Sequence, residues 1–143
     1  MQTTIINSLM THLQSAAPWL RWVDIEDGQL ETEGRPPVAF PCALLDLSYP
    51  QCQTLTGGRQ RINVALHITV AFDTPEPSNL AAPPEVRQRS LERFDRIEEL
   101  HKALQWWTPE HCLQPLRRES VVADKRFAGI KVYQLVYTTM LMA

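Results

Sequence analysis

The strongest constraint on this 143-residue chain is the stretch from Ile62 to Phe72. There Ile62, Val64, Leu66, Ile68, Val70 and Phe72 alternate without a break against Asn63, Ala65, His67, Thr69 and Ala71. A period of two belongs to a β-strand with two unlike faces, and a slip of one residue would exchange every side chain between them. The chain must therefore build a sheet that presents one strongly apolar face to a covering layer. Its other face carries small and polar groups.

The covering layer is legible as two amphipathic helices. Ile5, Ile6, Leu9, Leu13 and Ala17 recur at helical spacing, with Thr3 or Thr4 expected as the cap and Pro18 as the stop. A second helix is predicted from about Pro84 to near Trp107, with Leu91, Phe94, Ile97, Leu100 and Leu104 on one face and Pro109 beyond its end. On its charged side Glu92 and Arg96 stand at the favourable i, i+4 order, whereas Arg89 and Arg93 repel at the same spacing.

Further strands fill in the sheet. Trp19 to Leu30, with Trp22, Val23, Ile25 and then Asp27-Gly28, reads as a short strand entering a turn, and the acidic run Asp24 to Glu33 as its wet side. After Pro36-Pro37, the apolar segment Val38 to Tyr49 contains Pro41, which has no N–H for a ladder, so the strand is predicted to begin near Cys42. Gly57-Gly58 reads as a hairpin turn. Four prolines make Thr74 to Glu85 a long loop. Cys112 to Val122 and Gly129 to Leu141 are the last two predicted strands, joined by a turn at Ala123 to Arg126, the final one apolar on both faces. The fold class is α+β: a mainly antiparallel sheet of about four to six strands with two amphipathic helices on one face, expected as a single domain over residues 1–143.

Composition narrows function mostly by exclusion. With 44% hydrophobic and 21% charged residues the chain has the make-up of a globular protein, large enough to bury roughly 70% of its unfolded surface without metal or disulfide staples. Fourteen basic against 16 acidic side chains, a net charge of −2, supply no global field toward nucleic acid or membrane, so any such contact must be local. Met1 to Met10 has no basic and apolar signal-peptide layout, and no apolar run approaches a membrane span, so the chain is expected to be soluble and to remain in the compartment of its synthesis. Cys42, Cys52 and Cys112 are expected as free thiols.

No catalytic constellation emerges. Among four histidines and three cysteines only His111 and Cys112 are adjacent, and no C-x-x-C or H-x-x-x-H spacing occurs, so neither a metal nor a cofactor is expected. There is no G-x-S-x-G elbow, and Gly57-Gly58 precedes a strand instead of opening a helix, which rules out a phosphate loop. Carboxylates such as Asp24, Glu26, Glu98 and Glu99 lie in charged runs that read as solvated faces. Arg87, Arg89, Arg93 and Arg96 on the second helix, and the pair Arg117-Arg118, are interleaved with acids and do not form a one-signed nucleic-acid surface. His12 and His101 are expected to be exposed on helices. Trp106-Trp107 stands out, because adjacent indoles at a helix end cannot both enter one core.

A resemblance runs through nearly the whole chain. It is carried by the first helix followed by Trp22-Val23-Asp24, by Pro37-Val38-Ala39-Phe40-Pro41-Cys42-Ala43-Leu44-Leu45-Asp46 and by the alternating strand. Leu91, Phe94, Asp95-Arg96-Ile97, Leu100-His101, Ala103-Leu104, Trp107-Thr108-Pro109, Val132-Tyr133 and Tyr137 extend it. In these positions the chain resembles the tail-terminator or tail-completion proteins of long-tailed phages and prophages. The resemblance implies a non-enzymatic virion subunit that forms a ring, commonly hexameric, at the end of the tail tube. Its partners would be copies of itself, the tail-tube protein and a head-completion protein; DNA would only pass the lumen, and assembly would occur in the host cytoplasm. The alternative is a small prophage-encoded binding or regulatory protein acting as monomer or dimer. Ala65, His67 and Thr69, expected beside Ala43 and Leu45 on the face no helix covers, together with Trp107 and Tyr137, are the expected interface residues.

Overall fold

The computed structural model describes residues Met1–Ala143. Two helices and five strands follow in the order α1 (Gln2–Ala16), β1 (Trp22–Ile25), β2 (Cys42–Thr54), β3 (Gln60–Phe72), α2 (Pro84–Leu104), β4 (Arg117–Asp124) and β5 (Lys131–Met142). They form one sheet in the order β1-β2-β3-β5-β4, with β1 parallel to β2 and every other pair antiparallel. The predicted α+β class, with two helices on one face of a mainly antiparallel sheet, is the fold observed.

The alternating strand is the central strand. Ile62, Val64, Leu66, Ile68, Val70 and Phe72 all enter the main core, where they meet Ile5, Leu9 and Leu13 of α1 and Ile97, Leu100 and Leu104 of α2. Register places Tyr137, Leu135 and Tyr133 of β5 beside Leu66, Ile68 and Val70, so these odd-numbered residues share the helical face. Burial of such side chains at roughly 1.5–3 kcal/mol each is the main force holding the helices to the sheet.

Ala43 and Leu45 depart from expectation. They pair with Val70 and Ile68 and therefore belong to the helical face, not beside Ala65, His67 and Thr69. The even-numbered partners Leu44 and Asp46 stand against Thr69 and His67 instead. Ala43, Leu44 and Leu45 are all buried, which explains why the apolar run gave no parity.

The loop after β1 accounts for this double burial. The acidic segment keeps Asp27, Glu31 and Glu33 exposed, as expected of a wet side, but it also passes over the back of the sheet, where Leu30, with Val38 further along, seals a second, smaller core with Cys42, Leu44, Ala71 and Val132. Gly28, at φ 76°, takes the left-handed conformation that turns the chain into this cover. Pro41 immediately precedes β2, as its missing N–H requires, and its carbonyl accepts from Arg21 N at 2.9 Å.

Other boundaries also shift. The first helix begins at Gln2 with no side-chain cap, so neither Thr3 nor Thr4 caps it. The last hairpin is displaced: β4 starts at Arg117, not Cys112, because Pro109 and Pro115 keep the preceding segment irregular. That segment is still tied down, with Leu113 N donating to Met140 O at 2.8 Å and the Thr139 hydroxyl to Gln114 O at 2.6 Å. The proline-rich loop has no regular structure, yet it is fastened to α2 by the Arg89–Glu76 ion pair at 3.8 Å and by Arg87 Nε donating to Ser78 O at 3.1 Å. Arg89 and Arg93 do not face each other as free charges: Arg93 Nε donates to the Tyr133 hydroxyl at 2.9 Å.

Candidate functional site

Of the five residues expected at an interface, the chain exposes one. Tyr137 is 0% exposed, a core residue of β5 whose hydroxyl lies 3.0 Å from His101 Nδ1 of α2. Burial pushes its phenol up to about 12. Trp107 is turned inward, stacked on His12 at 3.9 Å with the rings 4° from parallel, while His12 Nε2 lies 2.6 Å from Ala103 O. His12 and His101 are thus half-buried links between the layers, not exposed helix residues. Ala65 and Thr69 lie on the back face but are nearly closed off by their neighbours; the Thr69 hydroxyl donates to Gln134 Oε1 at 2.8 Å. Only His67 stands open, cross-strand from exposed Asp46.

The exposed apolar groups lie elsewhere. Trp106, not Trp107, is the outward indole, 68% exposed and held at φ 66°, a left-handed conformation that is unfavourable for a bulky residue. Its backbone N–H bonds Leu116 O at 3.0 Å, and Gln105 Oε1 accepts from Arg118 N at 3.0 Å, so the end of α2 covers the start of the β4 edge. Beyond that point β4 is an outer strand with exposed Val121 and Val122. At the opposite edge β1 pairs only with Cys42 to Leu45, carries exposed Trp22 and Ile25, and leaves the outer side of β2 from Asp46 onward without a strand. Sequence periodicity could not reveal these edges, since strand order is a long-range property.

Charged groups divide unevenly. Arg96 on α2 pairs with Glu92 at 3.8 Å and Glu99 at 3.1 Å, in line with the predicted i, i+4 contact. Arg126 grips Asp124 at 2.8 Å and Glu31 at 3.2 Å, tying the cover loop to the β4–β5 turn. Its hydrogen bonds hold the Asp124 carboxyl down at about 2. The thiol of Cys42, beneath the cover loop, is pushed up to about 11 by burial. No group of three or more His, Cys, Asp or Glu side chains has metal-site geometry, and no helix is long and apolar enough to cross a membrane.

Comparison with known proteins finds no matching family model and no matching curated protein. Among solved structures, a chain of the virion of a native gene transfer agent particle is similar over 99% of this chain and 97% of its own length, with a TM-score of 0.61 at 12% sequence identity. At that identity the likeness is one of fold alone, and it extends over nearly the whole of both chains.

Proposed function

We propose that the chain is a structural subunit of a phage-like virion, and within it a tail terminator or tail-completion protein that closes the tail tube as a ring and helps join tail to head. The observation that carries this reading is the full-length match of fold to a chain of a gene transfer agent virion. The edges of the sheet supply a means of assembly. A ring needs two different surfaces on one subunit that are complementary to each other. Here β4, with Val121, Val122 and nearby Trp106, lies at one end of the sheet, and β1, with Trp22 and Ile25, lies at the other. Exposed aromatic and branched side chains beside unpaired strand edges favour association with another copy. His67 and the open part of the back face are then left facing outward or into the lumen.

Size-exclusion chromatography with light scattering, followed by negative-stain microscopy, tests the reading at rising protein concentration and with purified tail tubes. Rings or capped tubes are expected, and Trp106→Ser should abolish them while leaving the melting temperature unchanged. A protein that stays monomeric or dimeric and leaves tubes bare would favour a small binding or regulatory protein instead.

A further inference from the structure

The back face of the sheet carries a groove of about 570 Å³ at the end away from the cover loop. Its floor is set by register: Gln51 pairs with Asn63, Gln53 with Arg61, Asn63 with Met140 and Arg117 with Thr138, so four strands contribute side chains to one side. Arg61 and Arg117 are its two cations. Neither makes an ion pair, in contrast to Arg89, Arg96 and Arg126, which each hold a carboxylate. Arg61 gives only its Nε to Met140 Sδ at 3.2 Å, which leaves both terminal amino groups free. Asn63 Nδ2 donates to Gln51 Oε1 at 2.9 Å, fixing that amide pair so that the Gln51 NH₂ faces away from the bond.

We infer that this groove binds the phosphodiester backbone of DNA, with Arg61 and Arg117 as the phosphate contacts and the Gln51, Gln53 and Asn63 amides as supporting donors. Paired arginines amid amides and hydroxyls are the residue types that contact phosphate and sugar. A protein partner fits poorly, because an interface core needs aromatic or large apolar groups, and the groove offers little beyond Val64 and Met140. The Arg117-Arg118 pair alone looks like an ordinary mixed-charge surface in the sequence. Pairing of β3 and β4 with β5 brings Arg61 to the same groove as Arg117. One opposing charge lies close by: Glu119 accepts the Thr138 hydroxyl at 2.7 Å and should weaken anion binding.

Fluorescence anisotropy with a labelled DNA duplex and the full-length protein tests the inference. Two phosphate contacts give a slope of about −1.8 for log affinity against log salt, so binding should weaken roughly tenfold between 50 and 200 mM salt. Arg61→Gln or Arg117→Gln should each halve that slope, the double variant should remove it, Glu119→Gln should tighten binding, and Arg89→Gln on α2 should change nothing. Unchanged melting curves for these exposed positions would show that folding is not the cause. Absence of salt-dependent binding by the unaltered protein, equal binding by the double variant, or equally arginine-dependent binding of polyglutamate would each overturn the assignment.

Discussion

The two faces of the sheet are closed by different means. On the helical face, periodic apolar side chains from α1, α2 and three strands (β2, β3 and β5) build a core that includes Leu66, Ile68, Leu100 and Leu135, all at most 1% exposed. On the back face a loop with only two side chains buried in the second core, Leu30 and Val38, covers one end, and the other end stays open with unpaired arginines. The contrast separates a surface that makes the fold from a surface available for interaction. A subunit whose stability resides on one face can vary or expose the other without unfolding.

The largest difference between the faces should appear at adjacent residues of β3. Leu66→Ala removes a fully buried side chain beneath the helices and should destabilise the protein by about 2–5 kcal/mol in urea unfolding. His67→Ala, one residue away and exposed, should fall within about 0.5 kcal/mol of the parent. Comparable losses at both positions would mean that the back face is covered after all and that the two faces are not distinct.

What the sequence discloses follows the same division. The helical face was legible because it repeats: period two in Ile62 to Phe72 and a helical period in Leu91 to Leu104 need no tertiary information. Pro41 likewise marks the start of β2 through its own chemistry. The back face was not legible, because its cover rests on Leu30 and Val38, isolated apolar residues in a polar, proline-containing segment without a period. Ala43 to Leu45 is apolar at every position, so its parity is decided by pairing with β3. The inward turn of Trp107 depends on His12 of a distant helix, and Tyr137 was misplaced because an aromatic residue on a doubly apolar strand carries no mark of which face it takes. Arg61 and Arg117 meet only through strand order.

A smaller effect should come from the loop that seals the back face. Leu30→Ala deletes one of its two buried side chains, and the loss should be about 1–2 kcal/mol, at or below the low end for core truncations, since Leu30 is not wholly enclosed and its loop can adjust. The sharper readout is chemical. Cys42 lies under this loop, 0% exposed, with its thiol raised to about 11, whereas Cys52 is exposed. In the parent, a thiol reagent should label Cys52 quickly and Cys42 only on opening of the structure. In Leu30→Ala, labelling of Cys42 should accelerate more than the loss of global stability explains. Acceleration in strict proportion to global stability would show that the cover and the main core open as one unit.

The smallest effect concerns the polar seam of the helical face, where His101 of α2 meets the Tyr137 hydroxyl. Burial, and then the Arg118 cation, push the imidazole below its ordinary 6.5. The unfolded chain therefore takes up this proton first as pH falls. Between the ordinary histidine range and the lower folded value the unfolded state binds more protons, so stability must rise with pH through that window and be lost on acidification. His101→Gln keeps a hydrogen-bonding side chain near Tyr137 and removes the titration. The urea midpoint of the parent should drop slightly more than that of His101→Gln between pH 7.5 and 5.5. Identical slopes for parent and His101→Gln would mean that the histidine is as freely solvated when folded as when unfolded, and that this seam of the helical face is not sealed.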